Sequence, residues 1–305
     1  MSEATIYTFS GTGNSLAVAR DIAAEIDGRL VPIPAVMTRE TGQAESRPAE
    51  SGASMEPEET VRPETEVVGL VFPVYFEPHG GLPQIIKRFA AKLAGLESRY
   101  IFALCTYGSA SVAALDSLAD LIRSRGGRLS AGFTVNMPEN IYPAFARRRH
   151  ARMFETWRSR VDDVCARIRR REAVELHLPN LLVGRAYGLV RRVARPVLPL
   201  LRGVAIGQLQ RIAESPLEDY DELIPLVDHG FRVDERCNRC GVCVDVCPVN
   251  NIRMTDAGPS WMHRCEFCLA CLHWCPRHAI GSRAVMSPLS YHHPEVRLSD
   301  MLRTD

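Results

Sequence analysis

The sequence contains one cysteine spacing twice, as CNRCGVCVDVCP at residues 237–248 and as CEFCLACLHWCP at residues 265–276. In each copy three cysteines are separated by two residues, and a fourth follows after three more residues and precedes a proline. Three thiolates at this spacing wrap around one iron-sulfur cubane, whereas the fourth ligates the other cluster. We therefore expect two 4Fe-4S clusters, one held by Cys237, Cys240, Cys243 and Cys275 and the other by Cys265, Cys268, Cys271 and Cys247.

Zinc and disulfide interpretations explain less of this pattern. A zinc site expects two separated Cys-x-x-Cys pairs, which leaves the third cysteine of each triplet and both prolines without a role. A disulfide framework is typical of secreted proteins. The first residues lack a basic region followed by a long apolar run, so we expect a reducing, cytoplasmic setting instead.

Composition sets wide bounds on the rest of the chain. A length of 305 residues predicts about two domains, and 46% hydrophobic with 24% charged residues is ordinary for a globular protein. The formal net charge of +1 provides no global field that would select nucleic acid. No apolar stretch reaches the length of a membrane span, so we expect no transmembrane segment.

The N-terminal segment predicts a phosphate-binding loop. A β-prone run at residues 4–9 leads into the sequence SGTGNS and then into a periodic helix at 16–26. Backbone N–H groups, hydroxyls and the positive end of the helix dipole suit a phosphate there. The candidate ligands are Ser10, Gly11, Thr12, Gly13, Asn14 and Ser15.

Three phosphate ligands compete for this loop. A Walker loop requires a lysine, which the segment lacks, and a dinucleotide fingerprint requires a third glycine where Leu16 stands. The remaining candidate is a terminal monophosphate such as that of FMN. A simple helix cap by Thr12 or Asn14 is the alternative, although it accounts for one residue of the motif only.

Strand and helix patterns then alternate as far as residue 137. This alternation predicts a doubly wound parallel sheet with a ligand crevice at the carboxyl ends of its strands. The loops at 73–81 and 106–111 lie on that edge together with the phosphate loop, and their aromatic residues could flank a planar ring or could simply pack. The candidate ring contacts are Pro73, Val74, Tyr75, Phe76, Thr106, Tyr107 and Gly108. We interpret Cys105 and Cys165 as ordinary buried thiols.

Two segments lack these patterns. Residues 38–65 are rich in Glu, Pro, Ser and Gly, and we interpret them as a disordered insertion. Residues 143–228 form a helical connector with arginine runs at 147–149 and 169–171 and further arginines at 191, 192 and 195. This connector could pack between domains or dock a partner, the amphipathic part at 181–206 could contact a membrane surface, and nucleic acid is the weakest candidate.

The phosphate loop, the two ring loops and the paired cysteine runs together resemble the EFR1-family ferredoxins, in which a flavodoxin-like domain is fused to a bacterial-type dicluster ferredoxin. The resemblance implies an α/β plus α+β chain: a flavodoxin-like domain at 1–142, the connector at 143–228, a ferredoxin domain at 229–283 and a tail at 284–305. It departs from flavodoxins in the insertion and in its ring loops, where Glu77 is the single acidic residue. Less negative charge there predicts a flavin that is a weaker reductant.

Three functions follow as hypotheses. The favoured one is an electron carrier that relays electrons between two 4Fe-4S clusters and FMN, serving a redox partner protein that could be acidic. The second is an FMN-dependent reductase fed by its own ferredoxin domain, and the third is an iron-sulfur docking or sensor module without flavin. No catalytic acid, base or nucleophile is evident beside the ring loops, which favours the carrier.

Overall fold

The computed structural model describes residues 3–37, 60–76, 80–108, 112–141, 147–174, 198–285 and 290–302. Its first half contains a five-stranded parallel sheet of strand order β2-β1-β3-β4-β5. That order is the flavodoxin-like one, so the predicted doubly wound sheet is confirmed. The strands are β1 (Ala4–Thr8), β2 (Gly28–Pro32), β3 (Val67–Pro73), β4 (Tyr100–Tyr107) and β5 (Leu129–Asn136).

Successive side chains of the central strands point to opposite faces of the sheet, and they are buried on both faces. Along β3, Val68 and Leu70 join one apolar cluster, whereas Val67 and Val71 join the other. Both faces are therefore covered, which explains why this strand is apolar throughout. The helices of this half are α1 (Asn14–Glu25), α2 (Gln84–Lys92), α3 (Val112–Ser124), α4 (Arg147–Arg158) and α5 (Val161–Arg169).

The helices divide between the two faces. Buried apolar side chains of α2 and α3 share one cluster, whereas those of α4 and α5 and all but Ala17 of α1 share the other. Trp157 and Ile168 thus pack on the same face as Phe133 of β5. The first part of the predicted connector accordingly covers the sheet.

The second part of the connector packs on the ferredoxin half. Leu209 and Ala213 of α6 (Leu198–Ala213) share a buried cluster with Leu223, which ends α7 (Tyr220–Leu223), and with several cysteines of the two runs. A 3-10 helix (Ile224–Gly230) then leads into the cysteine domain. The remaining elements are β6 (Phe231–Val233), α8 (Val242–Asp245), β7 (Ile252–Thr255), β8 (Gly258–Trp261), α9 (Ala270–His273), β9 (Ile280–Ser282) and a 3-10 turn (Leu298–Asp300).

The cysteine domain has the internal symmetry that the repeat implies. Strand β6 pairs antiparallel with β9, and β7 pairs antiparallel with β8. Each cysteine run carries one short helix, α8 in the first and α9 in the second. A small dicluster ferredoxin-like region is thus present after the flavodoxin-like sheet.

The last described segment, 290–302, returns to the first half. The backbone N–H of His293 donates to the carbonyl of Thr12 at 2.8 Å, and Val296 is buried in the cluster of the α2 and α3 face. Arg20 of α1 forms an ion pair with Asp300. The chain therefore closes over the loop that precedes α1.

Several predicted features lie wholly or partly outside the described residues. They are positions 38–59 of the insertion, 77–79 and 109–111 of the ring loops, 143–146 and 175–197 of the connector, and 286–289 and 303–305 of the tail. At the end of the insertion, by contrast, Val61 exchanges backbone hydrogen bonds with Lys92 and Ala94. In the described part of the chain, no helix combines the length and hydropathy that crossing a membrane requires.

Candidate redox site

The predicted phosphate loop connects β1 to α1 at the carboxyl edge of the sheet. Gly13 adopts a left-handed conformation with φ of 91°, which a residue with a side chain adopts only under strain. The backbone N–H of Gly13 donates to Ser10 Oγ at 3.0 Å. The loop therefore turns tightly at the N-terminus of α1, as an anion-binding loop requires.

The polar side chains of this loop are buried and partly engaged by neighbouring segments. Ser15 Oγ and Thr106 Oγ1 lie 2.8 Å apart. Asn14 donates to the Pro138 carbonyl at 3.0 Å and accepts from the Tyr291 hydroxyl at 2.7 Å. These bonds fix the loop, while the largely buried Thr12 lines a cleft beside it.

The structure brings the predicted residues together around this cleft, whose volume is about 230 Å³. Twelve of the thirteen predicted cofactor contacts line it, and Gly13 lies directly behind them in the turn. The lining residues are Ser10, Gly11, Thr12, Asn14, Ser15, Pro73, Val74, Tyr75, Phe76, Thr106, Tyr107, Gly108, Met137, Pro138, Glu139, Asn140, Ile141 and Phe267.

The three predicted ring aromatics have different surroundings. Tyr75 lies edge-on to Phe9, with centroids 6.2 Å apart, and burial raises its pKa well above the usual value. Phe76 has φ of 52° and stacks on Phe267 at 5.2 Å. Tyr107 is half-buried at the cleft. Phe76 therefore contacts the ferredoxin half as well as the cleft.

Sequence reasoning missed the loop at 137–141, which follows β5 at the same edge of the sheet. It places Glu139 against Gly108, because a Cβ on that glycine would overlap the Glu139 side chain. The ring loops alone thus gave an incomplete account of the charge around the cleft, since this carboxylate comes from a third loop. The rule that ligands bind at the carboxyl ends of parallel strands could have identified it.

Sequence reasoning also missed the contribution of the second cysteine run. Phe267 stands between Cys265 and Cys268, yet it lines the cleft of the flavodoxin-like half. A Cβ on Gly11 would lie 2.3 Å from the carbonyl oxygen of Cys268 and 2.8 Å from the Tyr75 hydroxyl. The phosphate loop and the cysteine run are therefore in direct backbone contact, which only glycine permits at position 11.

Glu266, the other residue between these two cysteines, fixes the same interface. Its buried carboxylate accepts from the Ile85 N–H at 2.9 Å, in the first turn of α2, and pairs with Arg88. Burial raises the pKa of Glu266, while Arg88 opposes that rise. A carboxylate is stabilised at a helix N-terminus by the helix dipole. Lys87 and Asp221 form a further ion pair across this boundary.

Several of the eight predicted cluster cysteines accept hydrogen bonds at sulfur. Backbone N–H groups donate to three sulfurs: Asn251 to Cys247 at 3.2 Å, Phe267 to Cys265 at 3.2 Å, and Ala279 to Cys275 at 3.4 Å. Hydrogen bonds to sulfur stabilise thiolates and tune cluster potentials.

Burial alone would keep the thiols of Cys268 and Cys243 protonated. Burial raises the pKa of Cys268 to about 12 and that of Cys243 to about 11. A metal that coordinates a thiol removes its proton, so iron binding offsets this cost and stabilises the folded domain.

The spacing of the sulfurs tests the zinc interpretation. Tetrahedral zinc with Zn–S bonds of about 2.3 Å places thiolate sulfurs about 3.8 Å apart. All eight cysteines are among the described residues, and no three of their sulfurs lie within 4.8 Å of one another. The arrangement is thus too wide for a single zinc ion and leaves room for a larger group.

Trp261 supplies a further observation that fits such a group. Its indole nitrogen is buried and has no hydrogen-bond partner in the described part of the protein. The ring stacks on Phe231 at 5.3 Å, and the N–H is near enough to Cys271 to oppose the rise in pKa that burial causes in that thiol. The thiolate of Cys271, once it binds iron, would accept a hydrogen bond from this N–H.

Comparisons with known proteins agree with this description. Residues 228–280 match the 4Fe-4S dicluster domain family. Among curated proteins, no sequence gives a significant match.

Solved structures similar to the chain include a putative flavoprotein from Bacteroides uniformis, with 22% identity, a TM-score of 0.31, and coverage of 44% of this chain and 90% of that one. The two-electron reduced flavodoxin of Megasphaera elsdenii gives 18% identity, a TM-score of 0.30 and coverage of 43% and 85%. A flavodoxin from Streptococcus pneumonia TIGR4 gives 14% identity, a TM-score of 0.31, and coverage of 53% of this chain and 98% of that one.

Residues 228–280 are a dicluster domain for 4Fe-4S clusters, as the cysteine repeat predicts. Clusters of this kind accept and donate single electrons, so the chain has a role in electron transfer.

Proposed function

We propose that this protein is an EFR1-family ferredoxin, an electron carrier in which FMN, bound in the cleft, exchanges electrons with the two clusters of the same chain. One observation carries the proposal. Phe267, between two cysteines of the second run, lines the cleft where the flavin ring would bind. Electron transfer needs short separations between cofactors, and this residue belongs to both sites.

The cleft residues suit FMN. Backbone N–H groups and hydroxyls of residues 10–15 would hold its phosphate, and Thr12 lines the cleft. The segments Pro73–Phe76 and Thr106–Gly108 would hold the ring. FMN supplies the capacity to take up one or two electrons, whereas each cluster takes up one.

The two sets of cysteine ligands differ in solvent exposure, and this difference assigns a role in the relay to each cluster. The set of Cys237, Cys240, Cys243 and Cys275 includes the exposed Cys240. In the other set, Cys247, Cys268 and Cys271 are buried, and the Cys268 backbone touches the phosphate loop. We assign the first set to the cluster that meets external partners and the second to the cluster that serves the flavin.

The surface around Cys240 suits an acidic redox partner. Arg239 and Arg277 are exposed beside it, and Met254 is 36% exposed on the same rim. Attraction between opposite charges across such a rim accelerates the encounter of the two proteins, and salt weakens this attraction.

The arginine run of the connector at 169–171 is engaged in ion pairs within the chain. Arg169 pairs with Glu25, Arg170 with Glu172, and Arg171 with Glu66. These pairs neutralise the run within the chain, so the proposed partner face moves to the rim of the exposed cluster. Arg191, Arg192 and Arg195 lie outside the described residues.

Because all eight thiols must stay reduced, we extend the proposal to a cytoplasmic location.

The experiment is anaerobic purification, followed by quantification of iron, sulfide and flavin in one sample and titration with FMN. The proposal expects about eight irons, about eight sulfides and one FMN per chain. Clusters without any affinity for FMN would reject the relay and support a sensor or docking module. FMN bound with a second substrate that oxidises it would support the reductase.

A further inference from the structure

Two histidine side chains meet at the junction between the connector and the ferredoxin domain, outside both cysteine sets. His229 lies in the 3-10 helix that precedes β6, and His263 follows β8. Their Nε2 atoms are 3.2 Å apart, and their rings are nearly perpendicular at 86°. Neither residue is needed to hold the clusters or the flavin.

A backbone carbonyl fixes the tautomer of His229. Its Nδ1 lies 2.8 Å from the carbonyl oxygen of Ala213, at the end of α6. A carbonyl only accepts hydrogen bonds, so Nδ1 carries the proton. In the neutral ring, Nε2 therefore carries a lone pair, which is directed away from the backbone.

A buried carboxylate fixes His263 in the same way. Its Nδ1 lies 2.7 Å from Asp228 Oδ1, and Asp228 has no exposed side-chain surface. Asp228 Oδ2 accepts from the backbone N–H of His263 at 2.9 Å and from Asn251 Nδ2 at 2.8 Å. The positive φ of 59° at His263 brings both its N–H and its ring to the same carboxylate. In the neutral ring, the Nε2 of His263 thus also carries a lone pair.

Two lone pairs 3.2 Å apart repel unless a proton or a metal ion lies between them. We propose that His229 and His263 bind one divalent transition-metal ion of the zinc type through their Nε2 atoms, with water in the remaining positions. Two nitrogens bound tetrahedrally at about 2.05 Å lie about 3.3 Å apart, close to the observed separation. Imidazole suits zinc, copper and nickel, so the ligand type agrees with this class.

The groups behind the rings are those that metal-binding histidines use. Such histidines donate their second ring N–H to a carboxylate or a backbone carbonyl, which orients the ring and makes the free nitrogen more basic. Asp228 performs this role for His263, and the Ala213 carbonyl performs it for His229. Asp228 therefore acts as a positioning residue, because its Oδ1 is already engaged by the ring.

The site is accessible and needs only a small adjustment. His263 is exposed and His229 is half-buried, so water can complete the coordination. The ring centroids are 4.2 Å apart, whereas a formed tetrahedral site would separate them by about 5.2 Å. Binding therefore swings the exposed His263 ring outward by about 1 Å. A bound ion would tie the end of α6 to the loop before Cys265.

The test uses the full chain with both clusters in place, kept anaerobic and freed of loosely held metal on a chelating resin. Zn²⁺ is titrated against a competing fluorescent indicator. We expect one zinc per chain in addition to the iron. His229→Gln and His263→Gln should each weaken binding at least tenfold. His278→Gln is the matched control, because His278 is an exposed histidine near the clusters whose Nδ1 lies 2.7 Å from Ser290 Oγ; it should bind zinc as the wild type does.

Iron content and visible absorption confirm that each variant is folded. X-ray absorption at the zinc edge should then show two imidazole nitrogens with oxygen and no sulfur. Absence of stoichiometric zinc binding in the wild type would mean that a shared proton occupies the gap, and would overturn the proposal. Zinc bound through sulfur, or zinc lost equally in His278→Gln, would overturn it as well.

Discussion

The indole Nε1 of Trp274 donates a hydrogen bond of 3.0 Å to the carbonyl oxygen of Gly11, although 263 positions separate the two residues. Trp274 directly precedes Cys275, and Gly11 lies in the phosphate loop. The same indole stacks on His292 at 4.5 Å. The cysteine domain, the phosphate loop and the last described segment thus meet at one side chain.

Trp274→Phe removes this bond and keeps an aromatic ring. The buried Gly11 carbonyl loses its partner, so we expect a loss of about 1 to 2 kcal/mol in the free energy of unfolding. FMN affinity should fall several-fold while the iron content is kept. Denaturant unfolding and FMN titration measure the two effects.

Trp157→Phe is the matched control, because its Nε1 bonds Asp21 at 2.6 Å on the opposite face of the sheet. It should lower stability without changing FMN affinity. Equal effects of both variants on FMN would contradict a specific role for Trp274.

Gly11→Ala tests the close approach of the two halves. The added methyl carbon would lie 2.3 Å from the Cys268 carbonyl oxygen, so the cysteine run and the phosphate loop must move apart. We expect FMN affinity to fall by more than tenfold and the thermal midpoint to drop. Calorimetry and flavin fluorescence follow these changes.

Gly203→Ala serves as the comparison, since a Cβ there meets nothing within 4 Å in helix α6. Alanine favours a helix over glycine by about 1 kcal/mol, so this variant should be neutral or more stable. A Gly11→Ala protein that behaves like Gly203→Ala would refute the contact.

Thr12→Ala tests the phosphate loop. Thr12 is largely buried and lines the cleft, and a hydrogen bond to a charged phosphate contributes roughly 1.5 to 3 kcal/mol. FMN affinity should therefore fall on the order of tenfold or more, with iron unchanged. FMN, FAD and NADH are titrated into flavin-free protein, and FMN should bind best.

Thr134→Ala removes the same atoms from β5 outside the cleft and should leave FMN binding intact. FAD bound as tightly as FMN, or unaltered FMN binding in Thr12→Ala, would count against the assignment of this loop.

Cys247→Ser tests the exchange of ligands between the two cysteine runs. If Cys247 ligates the cluster built on Cys265, Cys268 and Cys271, its loss should damage that cluster and spare the one on its own run. Mössbauer and paramagnetic resonance spectra of the reduced protein separate the two clusters. Because the damaged cluster is the one beside the cleft, electron exchange with FMN should also slow. Selective loss of the cluster on Cys237, Cys240 and Cys243 would show that no exchange occurs.

Local patterns predicted much of this fold. The predicted strand at 4–9 and helix at 16–26 match β1 and α1 within two residues, because apolar periodicity indicates which faces are buried. The cysteine spacing likewise predicts the dicluster domain, since ligand spacing is a property of the chain itself. Contacts between distant segments leave no such pattern in the sequence. From sequence alone, Phe267 is a spacer between two ligands, and residues 290–302 belong to a tail. Their positions on the cleft and on the phosphate loop follow from packing between the two halves.

The most direct test of the central claim is laser-flash reduction of the clusters in FMN-loaded protein, with absorption followed at cluster and flavin wavelengths. Electrons that enter the clusters should appear on the flavin at a rate that does not depend on protein concentration, because both sites belong to one chain. A flavin signal whose rate rises in proportion to protein concentration, or clusters that stay reduced while the flavin remains oxidised, would contradict the account.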